Sequence, residues 1–233
     1  MPRGGRGVNP GARLLILGKQ GAGKGTQALR LSRHYVVPHI STGDTFRAAV
    51  RSGSEFGQRA KQYLDAGDLV PDDVVIGVVR ERLTHADTSH RGFVLDGFPR
   101  TVGQAEALFE ILAERGPDLV VDLEIDTATV LKRLASRRVC SDCGANYAVP
   151  DNPPRVRGIC DVCGGEVLQR DDDTESAIRH RLEIYERQTA PLISWYEERD
   201  LLARIDALGS ADEVTERIVV EVDRRQRERP PTA

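Results

Sequence analysis

Nine consecutive residues, Gly18-Lys19-Gln20-Gly21-Ala22-Gly23-Lys24-Gly25-Thr26, combine the amino acids that phosphate binding requires. Amides flanked by glycine turn inward and make a nest for phosphate oxygens. A helix opening directly behind them adds its N-terminal N–H groups and dipole, and Lys24 supplies a mobile positive charge. On the pattern GxxxxGK[ST], Gly18, Gly23 and Lys24 are in place, Gly25 stands in the Ser/Thr position and Thr26 arrives one residue late. The segment is therefore a variant phosphate loop. Lys24 also stands out against the composition: of 33 basic residues four are lysines (Lys19, Lys24, Lys61, Lys132) and the rest are arginines. A compact ammonium and a planar guanidinium are not interchangeable.

Cys140-x2-Cys143 and Cys160-x2-Cys163 form a second chemical cluster, each pair followed by a glycine, Gly144 and Gly164. This is the knuckle spacing of a four-thiolate zinc site. Four protein ligands leave no open position, so such a metal is structural, holding a short and weakly apolar segment in shape. Two disulfides are the other reading, disfavoured in a reducing compartment, and iron could occupy the same thiolates. Asp96 ends an apolar run just before Gly97, where an α/β sheet presents its carboxyl edge to ligands. His34, His39, His85, His90 and His180 show no partner pattern and read as surface or core residues.

The elements that must position these groups alternate. Arg13 to Leu17 reads as a buried strand, Gln27 to His34 as a helix and Val36 to Ile40 as a second strand. Phe93 to Leu95, Leu119 to Ile125 and Leu202 to Ile205 supply three more strands. Helical patterns cover Val74 to Arg82, Gln104 to Glu114 and Thr129 to Ser136. This alternation predicts an α/β fold, a parallel sheet with helices on both faces. Cys140 to Gln169, rich in Pro, Gly and Asn, breaks the rhythm and reads as a small insert. A helix capped by Asp172, Asp173 and Thr174 follows and runs to about Thr189, before Pro191, with Ile178, Leu182 and Tyr185 on its apolar face. The chain has 233 residues, 39% apolar and 30% charged, and a net charge of -3. Those values fit one globular core and argue against a general nucleic-acid or membrane-surface binder. Without an apolar h-region or a run of transmembrane length, a cytoplasmic location is the expectation.

The loop ending GAGKGTQ resembles that of the adenylate kinase family, in which the threonine is also late. Four further segments match in order: Ile40-Ser41-Thr42-Gly43-Asp44, Leu95-Asp96-Gly97-Phe98-Pro99-Arg100, Asn152-Pro153-Pro154 and Arg170-Asp171-Asp172-Asp173. The resemblance spans about Leu14 to Ile205, and DGFPR is its most specific part; Lys19-Gln20 departs from the commoner Ala-Pro. It implies a three-layer fold with a five-stranded parallel sheet, a helical AMP-binding flap and a small zinc-containing lid. Residues 12–223 would form the kinase domain, interrupted by the flap at 41–70 and the lid at 136–173, with flexible ends at 1–11 and 224–233.

The resemblance also implies site residues. Gly21, Ala22, Gly23, Lys24, Gly25 and Thr26 would cradle the ATP phosphates, with Asn146, Tyr147 and Gly209 flanking the ATP base. Thr42, Arg47, the backbone of Asp68, Leu69 and Val70, then Gly97, Phe98, Pro99, Arg100 and Gln104 would form the AMP site. Arg47 and Arg100 would hold the AMP phosphate and Gln104 would read the adenine edge, while Arg133, Arg137, Arg170 and Arg181 would close on the transferring phosphoryl group. Asp96, with Asp44, would hold the Mg²⁺ shell. The implied reaction is ATP + AMP = 2 ADP in a monomer. It needs two anionic phosphates held in line and no dedicated general base. Arginines suit it because they fork onto phosphate oxygens and stay charged.

Two other readings compete. A kinase for CMP or UMP would share the motifs, but such relatives usually have a short lid. A P-loop ATPase with a nucleic-acid-binding zinc ribbon would need basic and aromatic residues. The insert from Cys140 to Cys163 offers Arg155, Arg157 and Tyr147.

Overall fold

The structure, a computed structural model, describes residues 11–170 and 173–228. Strand β1 (Arg13–Gly18) is buried from its second residue onward, and its alternating side chains feed two cores. Leu14 and Ile16 pack with Leu31, Val121, Ile205 and Ile218 on one face, and Leu15 and Leu17 with Leu95, Phe98, Leu108 and Tyr196 on the other. Each buried Leu or Ile stabilises the fold by about 1.5–3 kcal/mol relative to exposure. A sheet apolar on both faces must be covered on both.

The elements follow as helix α1 (Lys24–Tyr35), strand β2 (His39–Ser41) and helices α2 (Thr42–Arg51), α3 (Glu55–Ala66), α4 (Asp72–Leu83) and α5 (Ala86–Arg91). Strand β3 (Phe93–Asp96), helix α6 (Val102–Leu112), a 3₁₀ turn (Ala113–Arg115), strand β4 (Leu119–Glu124) and helix α7 (Thr127–Ser136) come next. The insert holds strands β5 (Arg137–Cys140), β6 (Asn146–Ala148) and β7 (Val167–Leu168). Helix α8 (Glu175–Ile184), a π turn (Tyr185–Thr189), helix α9 (Pro191–Glu197), strand β8 (Leu202–Asp206) and helix α10 (Ala211–Glu228) close the chain.

The main sheet has five strands in the order β2-β3-β1-β4-β8, all parallel. The chain leaves β1 for the far edge at β2, returns through β3, and only later fills the other side with β4 and β8. That reversal on either side of β1 opens a crevice at the carboxyl ends of the strands.

Several boundaries differ from the sequence reading, each for a physical reason. Helix α1 starts at Lys24, three residues early, because the left-handed Gly23 (φ 102°) ends the loop and the helix begins at once. Val36 is not in a strand. It takes a left-handed conformation (φ 55°) that terminates α1, so β2 begins at His39. The helix expected to reach Thr189 is regular only to Ile184. Pro191 lacks an N–H and crowds the preceding turn, and the chain widens there into a π turn in which Ala190 N donates to Tyr185 O at 2.8 Å. Of the apolar face expected on that helix Ile178 is buried, and Ile184 is buried where Tyr185 was expected. The insert is ordered as a three-stranded antiparallel sheet, β6-β5-β7. Strands of two to four residues are too short to show a period. Residues 224–228 continue α10 instead of forming a tail, with Arg224 bonded to Glu221 and Glu228. Residues 1–10 and 229–233, Asp171 and Asp172 lie outside the described residues.

Candidate active site

The phosphate loop leaves β1 at the mouth of the crevice. Gly18, Gly21 and Gly23 all have positive φ (132°, 82° and 102°), a conformation that glycine adopts without strain. At Gly18 a side chain is also excluded by space, since a Cβ would lie 2.9 Å from Leu123 O. Lys24 Nζ donates to Gly18 O at 2.7 Å and Lys19 O at 2.9 Å, so the ammonium holds the loop's own entry. Its pKa is lowered to about 8, chiefly by burial; the Asp96 carboxylate acts the other way, and Arg100 and Arg137 add repulsion. Thr26 is exposed on the first turn of α1. Gln27 is buried and ties that helix to α10 through Ala211 O (3.0 Å) and Thr215 Oγ1 (2.7 Å).

Asp96 ends β3 in register with Ile16 of β1. A Cβ on Gly25 would sit 3.4 Å from its Oδ2, so the carboxylate lies against the start of α1. His39 Nε2 is 4.0 Å away. Gly97 follows with φ 81°, and its carbonyl accepts from Thr42 Oγ1 and Arg100 Nε, both at 2.9 Å. A side chain there would meet Thr42 Oγ1 at 2.8 Å, so glycine is required by both conformation and space. Phe98 and Pro99 are buried, and Arg100 is exposed toward the crevice. The Arg100 charge is felt by Lys24, and in turn feels Asp96, Arg181 and Arg47.

The other arginines arrive from different elements. Arg47 on α2 pairs with Asp44. Partial burial works against the charge on Asp44, but Arg47, a hydrogen bond with Ser41 and the Arg170 charge hold its carboxyl below the usual range. Arg181 on α8 reaches Leu64 O at the end of α3 (3.3 Å). Val70 is buried, Leu69 half-buried and Asp68 exposed beyond that helix. Arg137 makes a forked pair with the buried Asp173, its Nε to Oδ2 at 2.8 Å. Arg133 donates to Ala22 O (3.4 Å) and Ala207 O (2.9 Å), tying the loop to the segment that carries Gly209 (φ 101°). Lys24, Asp96, Arg47, Arg100, Arg137 and Arg181 are thus linked around one crevice, although they come from five separate stretches of chain.

Tyr147 and Asn146 lie on β6 of the insert. The Tyr147 ring is buried in the insert's own core with Cys140, Cys160 and Val167. Asp161 N donates to its hydroxyl at 2.8 Å, and the hydroxyl lies 3.3 Å from Cys160 Sγ, a contact that lowers the Cys160 thiol pKa to about 6. Asn146 is exposed.

The four cysteine sulfurs lie within 4.8 Å of one another, Cys140 with Cys163 and Cys143 with Cys160 at 3.5 Å. A zinc ion with four Zn–S bonds of about 2.3 Å sets its sulfurs roughly 3.8 Å apart. A disulfide needs about 2.05 Å. The donor set therefore fits a tetrahedral thiophilic metal.

The adenylate kinase family model matches residues 16–201, most of the chain. The chain belongs to the adenylate kinase family. It is 53% identical over 209 residues to an adenylate kinase of Acidothermus cellulolyticus, covering 89% of this chain and 96% of that protein. It is 52% identical over 208 residues to one of Geobacter sulfurreducens (88% and 95%) and 50% identical over 208 residues to one of Clostridium novyi (88% and 96%). Adenylate kinases are phosphotransferases that act on ATP, AMP and ADP and use Mg²⁺ with ATP. The hard carboxylate oxygens of Asp96 and Asp44 beside the loop and flap suit such an ion.

Several contacts in this adenylate kinase site escape sequence reasoning. Lys19 pairs with Glu186 at 3.0 Å and Gln20 Nε2 donates to Asp173 Oδ1 at 3.4 Å, so both residues that depart from Ala-Pro are tied to the α8 region. His180 Nε2 sits 2.9 Å from Asp68 Oδ1 at the surface. Gln104 is engaged by Arg100 N and by Asp72. None of these pairings leaves a signal in spacing.

Proposed function

We propose that this chain transfers the terminal phosphoryl group of ATP reversibly to AMP, giving two ADP, with the residues above in the family's roles. The observation that carries the reading is the meeting of the Lys24 loop with Asp96, Arg100, Arg137, Arg47 and Arg181 in one crevice. The loop amides and Lys24 hold the ATP phosphates. Arg47 and Arg100 hold the AMP phosphate, and Gln104 reads its base. An oxygen of that phosphate attacks the γ-phosphorus in line, the bond to the β-phosphate oxygen breaks, and ADP leaves as the second ADP forms. Arg137, Arg170 and Arg181 neutralise the charge spread over the transferring group, with Arg133 bracing the loop. Asp96 and Asp44 would hold the shell of a bound Mg²⁺, whose charge would offset that of the ATP phosphates.

The helices at 41–70 act as the AMP flap and 136–173 as the lid, which exclude water until both substrates are present; this family's lid is itself a standard example of such gating. The cysteine cluster binds structural zinc. The protein works as a cytoplasmic monomer without nucleic acid; the described residues include no helix long and apolar enough to cross a membrane.

The test supplies Mg²⁺-ATP with AMP, GMP, CMP or UMP separately and follows ADP, with Lys24→Ala alongside. Rapid ADP formation with AMP, lost in the variant, is the expected result. Preference for CMP or UMP would overturn the role of Gln104, and ATP loss without any monophosphate would overturn the kinase reading.

A further inference from the structure

The amide of Gln104 is held from two sides. Its Oε1 accepts from Arg100 N at 2.8 Å, and its Nε2 donates to Asp72 Oδ1 at 2.6 Å. Gln104 is buried, with 1% of its surface exposed, so water does not compete for either contact. Asp72 opens α4 immediately after the flap. Its second oxygen accepts from Thr101 Oγ1 at 2.8 Å, and Thr101 in turn caps α6, the helix that carries Gln104. Asp72 has no part in the phosphoryl chemistry described above.

We propose that Asp72 is a specificity-determining positioning residue, which fixes the polarity of the Gln104 amide and thereby selects adenine over 6-oxopurines. The inference deepens the reading of Gln104 as the base-reading residue and rests on it. A carboxamide has two donor hydrogens and two acceptor lone pairs. Arg100 N and Asp72 take one of each, leaving one N–H on Nε2 and one lone pair on Oε1 for a base. Adenine offers an N6 donor beside the N1 acceptor, the complement of that pair. Guanine and hypoxanthine offer an O6 acceptor beside an N1–H donor and need the amide turned over. Turned over, the NH₂ group would face the Arg100 N–H, and Oε1 would face the Asp72 carboxylate. Both contacts would become repulsive in a site from which water is excluded. A glutamine held by neutral partners able to reverse would accept either purine. The Arg100 N–H, which can only donate, and the Asp72 carboxylate, which can only accept, together remove that freedom, and the carboxylate adds its charge to the contact.

The experiment compares kcat/KM for AMP and for inosine monophosphate in the full-length wild type, Asp72→Asn, Thr101→Val and Gln104→Ala. Asparagine keeps the shape but presents either a donor or an acceptor to Gln104. The AMP preference should fall by about tenfold in Asp72→Asn, mainly through a raised KM for AMP, because a hydrogen bond to a charged group is at stake. Thr101→Val loosens the carboxylate and keeps its charge, and should shift the preference the same way by about threefold. It also decides the matter if Asp72→Asn folds poorly. The KM for ATP should stay at the wild-type value in both, which a general loss of structure would not allow. An AMP preference unchanged in both variants but collapsed in Gln104→Ala overturns the role of Asp72 alone. A preference unchanged in Gln104→Ala overturns the base-reading role itself, and the proposal with it.

Discussion

Asp122 is buried in the middle of β4, with 6% of its surface exposed, in register between Leu17 of β1 and Arg204 of β8. Burial pushes its carboxyl from 3.8 up to about 6, and the Glu124 charge pushes the same way; Arg204, Lys24 and Lys19 offset part of this. A carboxyl with a folded pKa above its unfolded one favours the folded state fully below 3.8 and loses that contribution as pH rises through about 6. Linkage puts the loss at about 3 kcal/mol by pH 8 and about half that at pH 5. Asp122→Asn keeps the shape and removes the titration. The variant should therefore gain on the wild type as pH rises, by about 1.5 kcal/mol between pH 5 and pH 8. For a chain of this size that is a relative rise in Tm of roughly 3–6 °C. Thermal and urea denaturation of both proteins at the two pH values measure it. A stability gap that does not widen from pH 5 to pH 8 would refute the assignment of a raised, buried carboxyl.

Lys24 is charged below about pH 8 in the free protein and neutral above it. Since kcat/KM reports groups of the free enzyme, kcat/KM for ATP should fall as pH rises through 8. Asp122→Asn should move that limb to lower pH, because the Asp122 charge helps keep Lys24 protonated; a limb that stays in place would remove Asp122 from the field at Lys24. Mass spectrometry of the native protein should find one zinc per chain. Cys143→Ser should lower the zinc content and speed amide exchange in β5, β6 and β7 by at least about tenfold, because metal binding there is coupled to folding. Unchanged exchange in the zinc-depleted variant would make the metal dispensable to the lid.

The chemistry of this protein was largely legible in its sequence because the parts concerned are local. Consecutive glycines make a phosphate nest wherever a strand feeds a helix, and paired Cys-x2-Cys knuckles carry their ligand geometry within a few residues. The five strands of the main sheet were legible too, since buried parallel strands are continuous apolar runs. Legibility failed where structure depends on what lies across the fold. Val36 looks like a strand residue but closes a helix, and the short lid strands have no period to read. The π turn answers Pro191 in a helix whose direction is set by packing.

By itself the sequence determined the family, the glycine-rich loop between β1 and α1 and the thiolate quartet. Tertiary structure decided which partners the polar side chains keep. It set Asp173 against Arg137 from 36 residues away, Asp72 against Gln104 from 32, and Asp68 against His180 from 112. Nothing in local spacing encodes such pairs, because they form only when the sheet order brings distant helices to the same edge. Burial there then makes each hydrogen bond and charge strong enough to orient its neighbour.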